Sequence, residues 1–162
     1  MVDKEAETQV DLAFDLITEV RKIRSDFNIP LGSKVPIIID TANDTMKEVF
    51  TTLKEELVAL AKLDENKYTF LIKEPPKNSA RIIIQDITAY VPLTDVINKE
   101  NEYKRINKQA VTIEKQISAL EHKLAGPFAT KASPEIVAKE RERLEELQKK
   151  LLVIKEQLEI LS

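Results

Sequence analysis

Residues 94–162 read TDVINKENEYKRINKQAVTIEKQISALEHKLAGPFATKASPEIVAKERERLEELQKKLLVIKEQLEILS. Tyr103, Ile106, Ala110, Ile113, Ile117, Leu120 and Leu124 recur at alternating spacings of three and four. Val137, Glu140, Leu144, Leu147, Leu151, Ile154, Leu158 and Leu161 keep the same rhythm, with Glu140 its one polar member. This is the seam of a coiled coil, in which apolar residues stay on one face of an underwound helix. Gly126, Pro127 and Pro134 interrupt the pattern, so a short loop joins two helices and makes them antiparallel neighbours. Asp95 is the expected N-cap of the first helix and Ser133 that of the second, with Pro134 in its first turn.

The seams specify a register. Leu120 faces Leu144, Ile117 faces Leu147, Ile113 faces Leu151, Ala110 faces Ile154 and Ile106 faces Leu158. In that register Glu121 lies near Arg141, Glu114 near Gln148, and Glu140 opposite Leu124 beside the loop.

The outward faces differ in sign. Asn101, Lys104, Lys108, Val111, Lys115, Ser118 and His122 form the back of the first helix, and none is acidic. Ala138, Glu142, Glu145, Lys149, Leu152, Glu156 and Glu159 form the back of the second, and most are. A row of lysines reads either as a solvated face or as a track for a phosphate backbone.

Upstream, residues 3–25 have helical periodicity through Ala6, Val10, Ala13, Ile17 and Val20, widened by Phe14 and Leu16. Asp3, Glu5 and Glu7 at its start and Arg21, Lys22 and Arg24 at its end suit the helix dipole. The Arg21–Lys22–Ile23–Arg24 cluster is a second candidate anion or RNA site. Residues 34–39 read as a strand, placed at a sheet edge by Pro36. Residues 44–61 read as one helix, 68–72 as a short strand, and 81–85 with 87–91 as strands joined at Gln85–Asp86. The expected fold is α+β: a small mixed α/β subdomain at 1–93, with a preceding helix lying beside it or detached, followed by the helical hairpin at 94–162.

Composition excludes much. The 162 residues contain no Cys and one His, and carry a net charge of −3. Disulfides, thiolate sites and a zinc site are therefore excluded. No global basic field advertises nucleic acid. No run is long and apolar enough for a membrane span, and the N-terminus lacks the apolar core of a signal peptide. There is no glycine-rich phosphate loop and no serine–histidine pairing for a triad. A cytoplasmic monomer without metal or cofactor is the expectation.

Three stretches resemble the C-terminal end of valyl-tRNA synthetases. VRKIRSDFNIP (20–30) is similar to the exit of that family's anticodon-binding helical domain. YVPLTDVINKENEYKRINK (90–108) is similar to the entry of its arm, with Arg105 and Lys108 at basic positions and Ile106 for the usual Leu. KLAGPFATKASPEIVAKER (123–141) is similar to the arm's loop, through Lys123, Leu124, Phe128, Lys131, Ala132, Val137, Glu140 and Arg141. The loop departs from the pattern: it is one residue short between Leu124 and Phe128, lacks the usual Asn, and has Ser133 before Pro134. Residues 31–88 match only in arrangement.

The resemblance implies a fragment: the end of an anticodon-binding region, a small α/β connector, and a coiled-coil arm that packs on the outer corner of tRNA, expectedly tRNA(Val). It implies tRNA contacts by Arg21, Arg24, Lys104, Arg105, Lys108, Lys115, Lys123 and Lys131. The class I catalytic signatures are absent from the chain, so the fragment is expected to be non-catalytic, with ATP used only by the parent enzyme. The alternative is a coiled-coil module that binds protein and has nothing to do with RNA.

Overall fold

The computed structural model describes residues 4–162, so the expected role of Asp3 lies outside the described residues. The chain divides into two compact units, residues 1–99 and 100–162.

The first unit begins with helix α1, Lys4–Asp26. Its buried line is Leu12, Leu16, Ile17, Val20, Ile23 and Arg24. Val10 and Phe14, expected inward, are 49% and 61% exposed. The helix has apolar residues on more than one face, and only its contacts with helix α3 (Lys54–Ala61) and strand β3 (Ser79–Ile84) select which face is covered. It therefore packs on the α/β layer rather than detaching from it.

Four strands form one sheet in the order β2-β1-β4-β3, with β1 at Val35–Asp40, β2 at Leu63–Phe70 and β4 at Ile87–Pro92. β1 runs parallel to β2 and antiparallel to β4. The parallel pair requires a crossover, which α3 and the preceding helix α2 (Asp44–Thr52) supply.

Pro36 is thus in a central strand, correcting the expected edge placement. The ladder tolerates it because the β1–β2 register is broken between Val35 and Ile37, where no amide is needed from Pro36. The edges belong to β2 and β3. β2 begins five residues earlier than expected, because its first half, LDENK, carries polar side chains that suit a solvent-facing edge. Lys62, in the left-handed conformation at φ 53°, ends α3 and turns the chain directly into this strand.

The expected single helix 44–61 is two. Asn43 caps α2 by accepting from the amides of Thr45 and Met46. The axis then breaks at Leu53, although its amide still bonds Val49 and its carbonyl still accepts from Leu57. No Pro or Gly marks the break. It lets Val49 and Phe50 of α2, and Leu57 and Ala61 of α3, all become buried. The Tyr68 hydroxyl donates to the Phe50 carbonyl at 2.7 Å, tying β2 to α2. Burial raises the Tyr68 phenol well above its ordinary value, so it remains a donor.

The second unit is the hairpin. Helix α4 spans Lys99–Ala125, a four-residue turn α5 spans Phe128–Lys131, and helix α6 spans Pro134–Leu161. α4 starts three residues later than the Asp95 cap implied. The amides of Val96 and Ile97 bond the Leu93 carbonyl in a turn first, and Asp95 instead lies 3.9 Å from Lys67. Ser133 occupies the N-cap position of α6, but its side chain makes no capping bond; its carbonyl accepts from Ile136 and Val137.

The seam packs as the heptads require except at Tyr103, its first expected member, which is exposed. Ile106, Ala110, Ile113, Ile117 and Leu120 are buried on α4, and Val137, Ile154 and Leu161 on α6. Leu144, Leu147, Leu151 and Leu158 are half-buried, as in a two-helix coil where each side chain has a partner on one side only. Lys123 reaches Glu140 at 3.6 Å, which neutralises the one polar seam position beside the loop. Glu114 pairs with Lys155 at 3.8 Å rather than lying against Gln148.

Candidate nucleic-acid interface

The outward face of α4 is exposed at every position expected of it: Asn101, Lys104, Lys108, Val111, Lys115, Ser118 and His122. Helix geometry puts Lys104, Lys108 and Lys115 in one line, because steps of four and seven residues return nearly to the same side. Lys104 is drawn 3.2 Å from Glu100, a solvent-exposed pair worth well under about 1 kcal/mol. Among the described residues neither Lys108 nor Lys115 forms an ion pair. Both side chains are exposed and available to an external anion.

Arg105 is placed differently. It is half-buried and grips Glu102 through Nε and one terminal nitrogen, the shorter contact being 2.7 Å. This fork holds the start of α4 and internally satisfies much of its donor capacity. Lys123 sits 4.3 Å above the Phe128 ring as well as beside Glu140, so it fastens the loop to both helices. Lys131 ends α5 in an exposed position.

In the first unit the arginine cluster splits. Arg21 is exposed and donates to the Leu60 carbonyl at 3.3 Å. Arg24 is only 8% exposed. Its guanidinium donates to the carbonyls of Pro30 (3.3 Å), Lys62 (2.8 Å) and Ser33. Burial pulls its pKa below the ordinary arginine value, yet arginine stays charged. The carbonyl dipoles compensate that charge, and Arg24 thereby joins the end of α1 to the turn before β1 and the cap of α3. This geometry assigns it a structural role in place of the expected tRNA contact.

The sequence reading overlooked one feature. A groove of about 460 Å³ runs along one flank of the hairpin, between α4 and α6. Lys108 and Lys150 stand on its rims, with Gln109, Thr112 and Gln116 along the α4 wall. The buried Ile113 and Ile154 form its floor. A signal was present: Gln109 and Gln116 are seven residues apart, one heptad, beside the seam and without charge. Reading only seam and back left these flank positions unexamined.

Among the described residues no helix is long and apolar enough to cross a membrane.

Residues 98–162 match the family model described as "Valyl tRNA synthetase tRNA binding arm". Over nearly the whole chain there are similar proteins named valine–tRNA ligase. That of Syntrophotalea carbinolica is 28% identical over 161 residues, covering 99% of this chain and 18% of the relative. That of Carboxydothermus hydrogenoformans is 31% identical over 160 residues, covering 98% and 18%. That of Thermotoga maritima is 30% identical over 145 residues, covering 89% and 16%. The chain spans less than a fifth of the length of these relatives. Its first unit is thus similar to part of the valine–tRNA ligases, and its hairpin, residues 98–162, matches the valyl-tRNA synthetase tRNA-binding-arm family.

Proposed function

We propose that this chain is the tRNA-binding portion of a valyl-tRNA synthetase and that the α4 face carrying Lys104, Lys108 and Lys115 lies along the phosphates of folded tRNA. The observation that carries the reading is the coincidence of the matched arm with a lysine line of which two members, Lys108 and Lys115, form no ion pair among the described residues. Helices of 27 and 28 residues give the arm a length of about 40 Å at 1.5 Å per residue, enough to follow several nucleotides. Phosphate contacts of this kind position RNA without reading its sequence. Preference for tRNA(Val) would therefore come from the rest of the enzyme, as would ATP use and aminoacyl transfer.

The test is a titration of tRNA(Val) transcript at low salt. The wild-type chain binds, and the variant carrying Lys104→Glu, Lys108→Glu and Lys115→Glu loses at least about tenfold in affinity, since three attractive contacts become repulsive. Unchanged binding by the triple variant would remove the lysine face from the interface. No binding by the wild type would remove the whole reading.

A further inference from the structure

We propose that the groove between α4 and α6 receives the sugar–phosphate chain of an RNA and senses its 2′-hydroxyls, so that the arm selects ribose over deoxyribose. The inference rests on the tRNA-binding reading and adds a chemical selectivity to it.

Three cations line the groove, Arg105 and Lys108 from one helix and Lys150 from the other, and no carboxylate does; Arg105 is already paired with Glu102, which leaves the two lysines. An anionic chain is the occupant this charge pattern favours. Lysines alone, however, cannot separate RNA from DNA, because both carry the same phosphates. The α4 wall supplies what is missing. Amide and hydroxyl side chains both donate and accept hydrogen bonds, whereas lysine only donates. A 2′-hydroxyl also donates and accepts, and it is the group by which a protein tells RNA from DNA. Gln109 and Gln116 are two helical turns apart, about 10 Å, and Thr112 lies between them. The Thr112 hydroxyl donates to the Lys108 carbonyl at 3.0 Å, so its oxygen lone pairs face outward as acceptors.

The floor favours the same occupant. Ile113 and Ile154 are each 6% exposed and offer no polar competitor. An apolar base strengthens hydrogen bonds made just above it, because water is displaced there. At about 460 Å³ the groove is within the size range of small-ligand sites. That is room for a ribose with its phosphate, not for a duplex. Lys150 also gives α6 a part in binding that its acidic back would not suggest.

The test compares two RNAs at one salt concentration: a tRNA(Val) transcript, and the same molecule with 2′-deoxyribose throughout the loops of its outer corner. The wild-type chain binds the all-ribose form about tenfold more tightly. The variant with Gln109→Ala and Gln116→Ala binds both forms equally, at the affinity the wild type shows for the deoxy form. Alanine raises helix propensity at these exposed positions, so circular dichroism remains unchanged. Lys150→Glu weakens both forms alike. The groove assignment is overturned if the wild type shows no ribose preference, or if the glutamine variant retains it. A groove that serves an acidic protein partner gives that second outcome. In either case binding of the transcript itself survives, so the tRNA-binding reading stands apart. If the transcript does not bind at all, both readings fall.

Discussion

At the residue scale, Arg24 shows how misleading a cationic cluster is when read in one dimension. Arg21, Lys22 and Arg24 look alike in sequence, yet Arg24 alone is buried, and it donates to three backbone carbonyls, two of which, Pro30 and Lys62, also accept from the amides of Ser33 and Val35. Arg24→Met retains the aliphatic stem and removes the donors. Hydrogen bonds from a charged donor contribute about 1.5–3 kcal/mol each, but the Pro30 and Lys62 carbonyls keep their amide donors, so the variant should lose about 2–3 kcal/mol in all. Urea denaturation followed by circular dichroism measures this, and a midpoint unchanged from wild type would show that the three bonds are dispensable. Lys123 carries a comparable lesson. It was expected to touch tRNA, and it lies over Phe128 and beside Glu140, where it holds the loop together.

Among the elements, the hairpin depends on a narrow seam. Ile106 is fully buried near the start of α4. Its truncation removes the methylene contacts and leaves a space that two helices alone close poorly. Ile106→Ala should therefore destabilise the hairpin by about 2–4 kcal/mol. Amide hydrogen exchange in α4 and α6 reads this directly, with protection falling across both helices while the β1–β4 sheet keeps its own. Protection lost only within one turn of residue 106 would mean that the seam does not unfold cooperatively. The exposed Glu114–Lys155 pair lies at the other extreme and adds at most about 1 kcal/mol. Within the sheet, charge on β2 guards an edge that Pro36 had assigned to β1. A proline reports only its own missing amide, which a local break in register accommodates, and does not say which strand has neighbours on both sides.

For the whole molecule, a net charge of −3 means that any RNA binding works against the average field and depends on a local face. The number of phosphates engaged should therefore be small. With about three to four lysines in contact, the logarithm of the binding constant should fall with the logarithm of salt at a slope of about −2 to −4, at 0.7–0.9 per phosphate. Titrations of tRNA between low and moderate salt give this slope. A value near −8 would require cations beyond the α4 face and the groove, and a value near zero would exclude a phosphate-based interface.

The amino-acid sequence by itself determined the hairpin: its seam, its loop and the opposite charges of its two backs. It could do so because a coiled coil is a local, one-dimensional code, in which spacing alone says which residues meet. The existence of the four strands was legible for a related reason, since β-branched runs and turn residues are local signals. Their order was not, because it depends on which distant amides find which carbonyls. The break at Leu53, the exposure of Phe14 and the central position of Pro36 likewise arise from packing between elements far apart in the chain. The candidate site divides along the same line. Lys104, Lys108 and Lys115 were legible as a helical face. The burial of Arg24 and the meeting of Lys150 with Gln109, Thr112 and Gln116 exist only once segments about 10 to 40 residues apart are brought together.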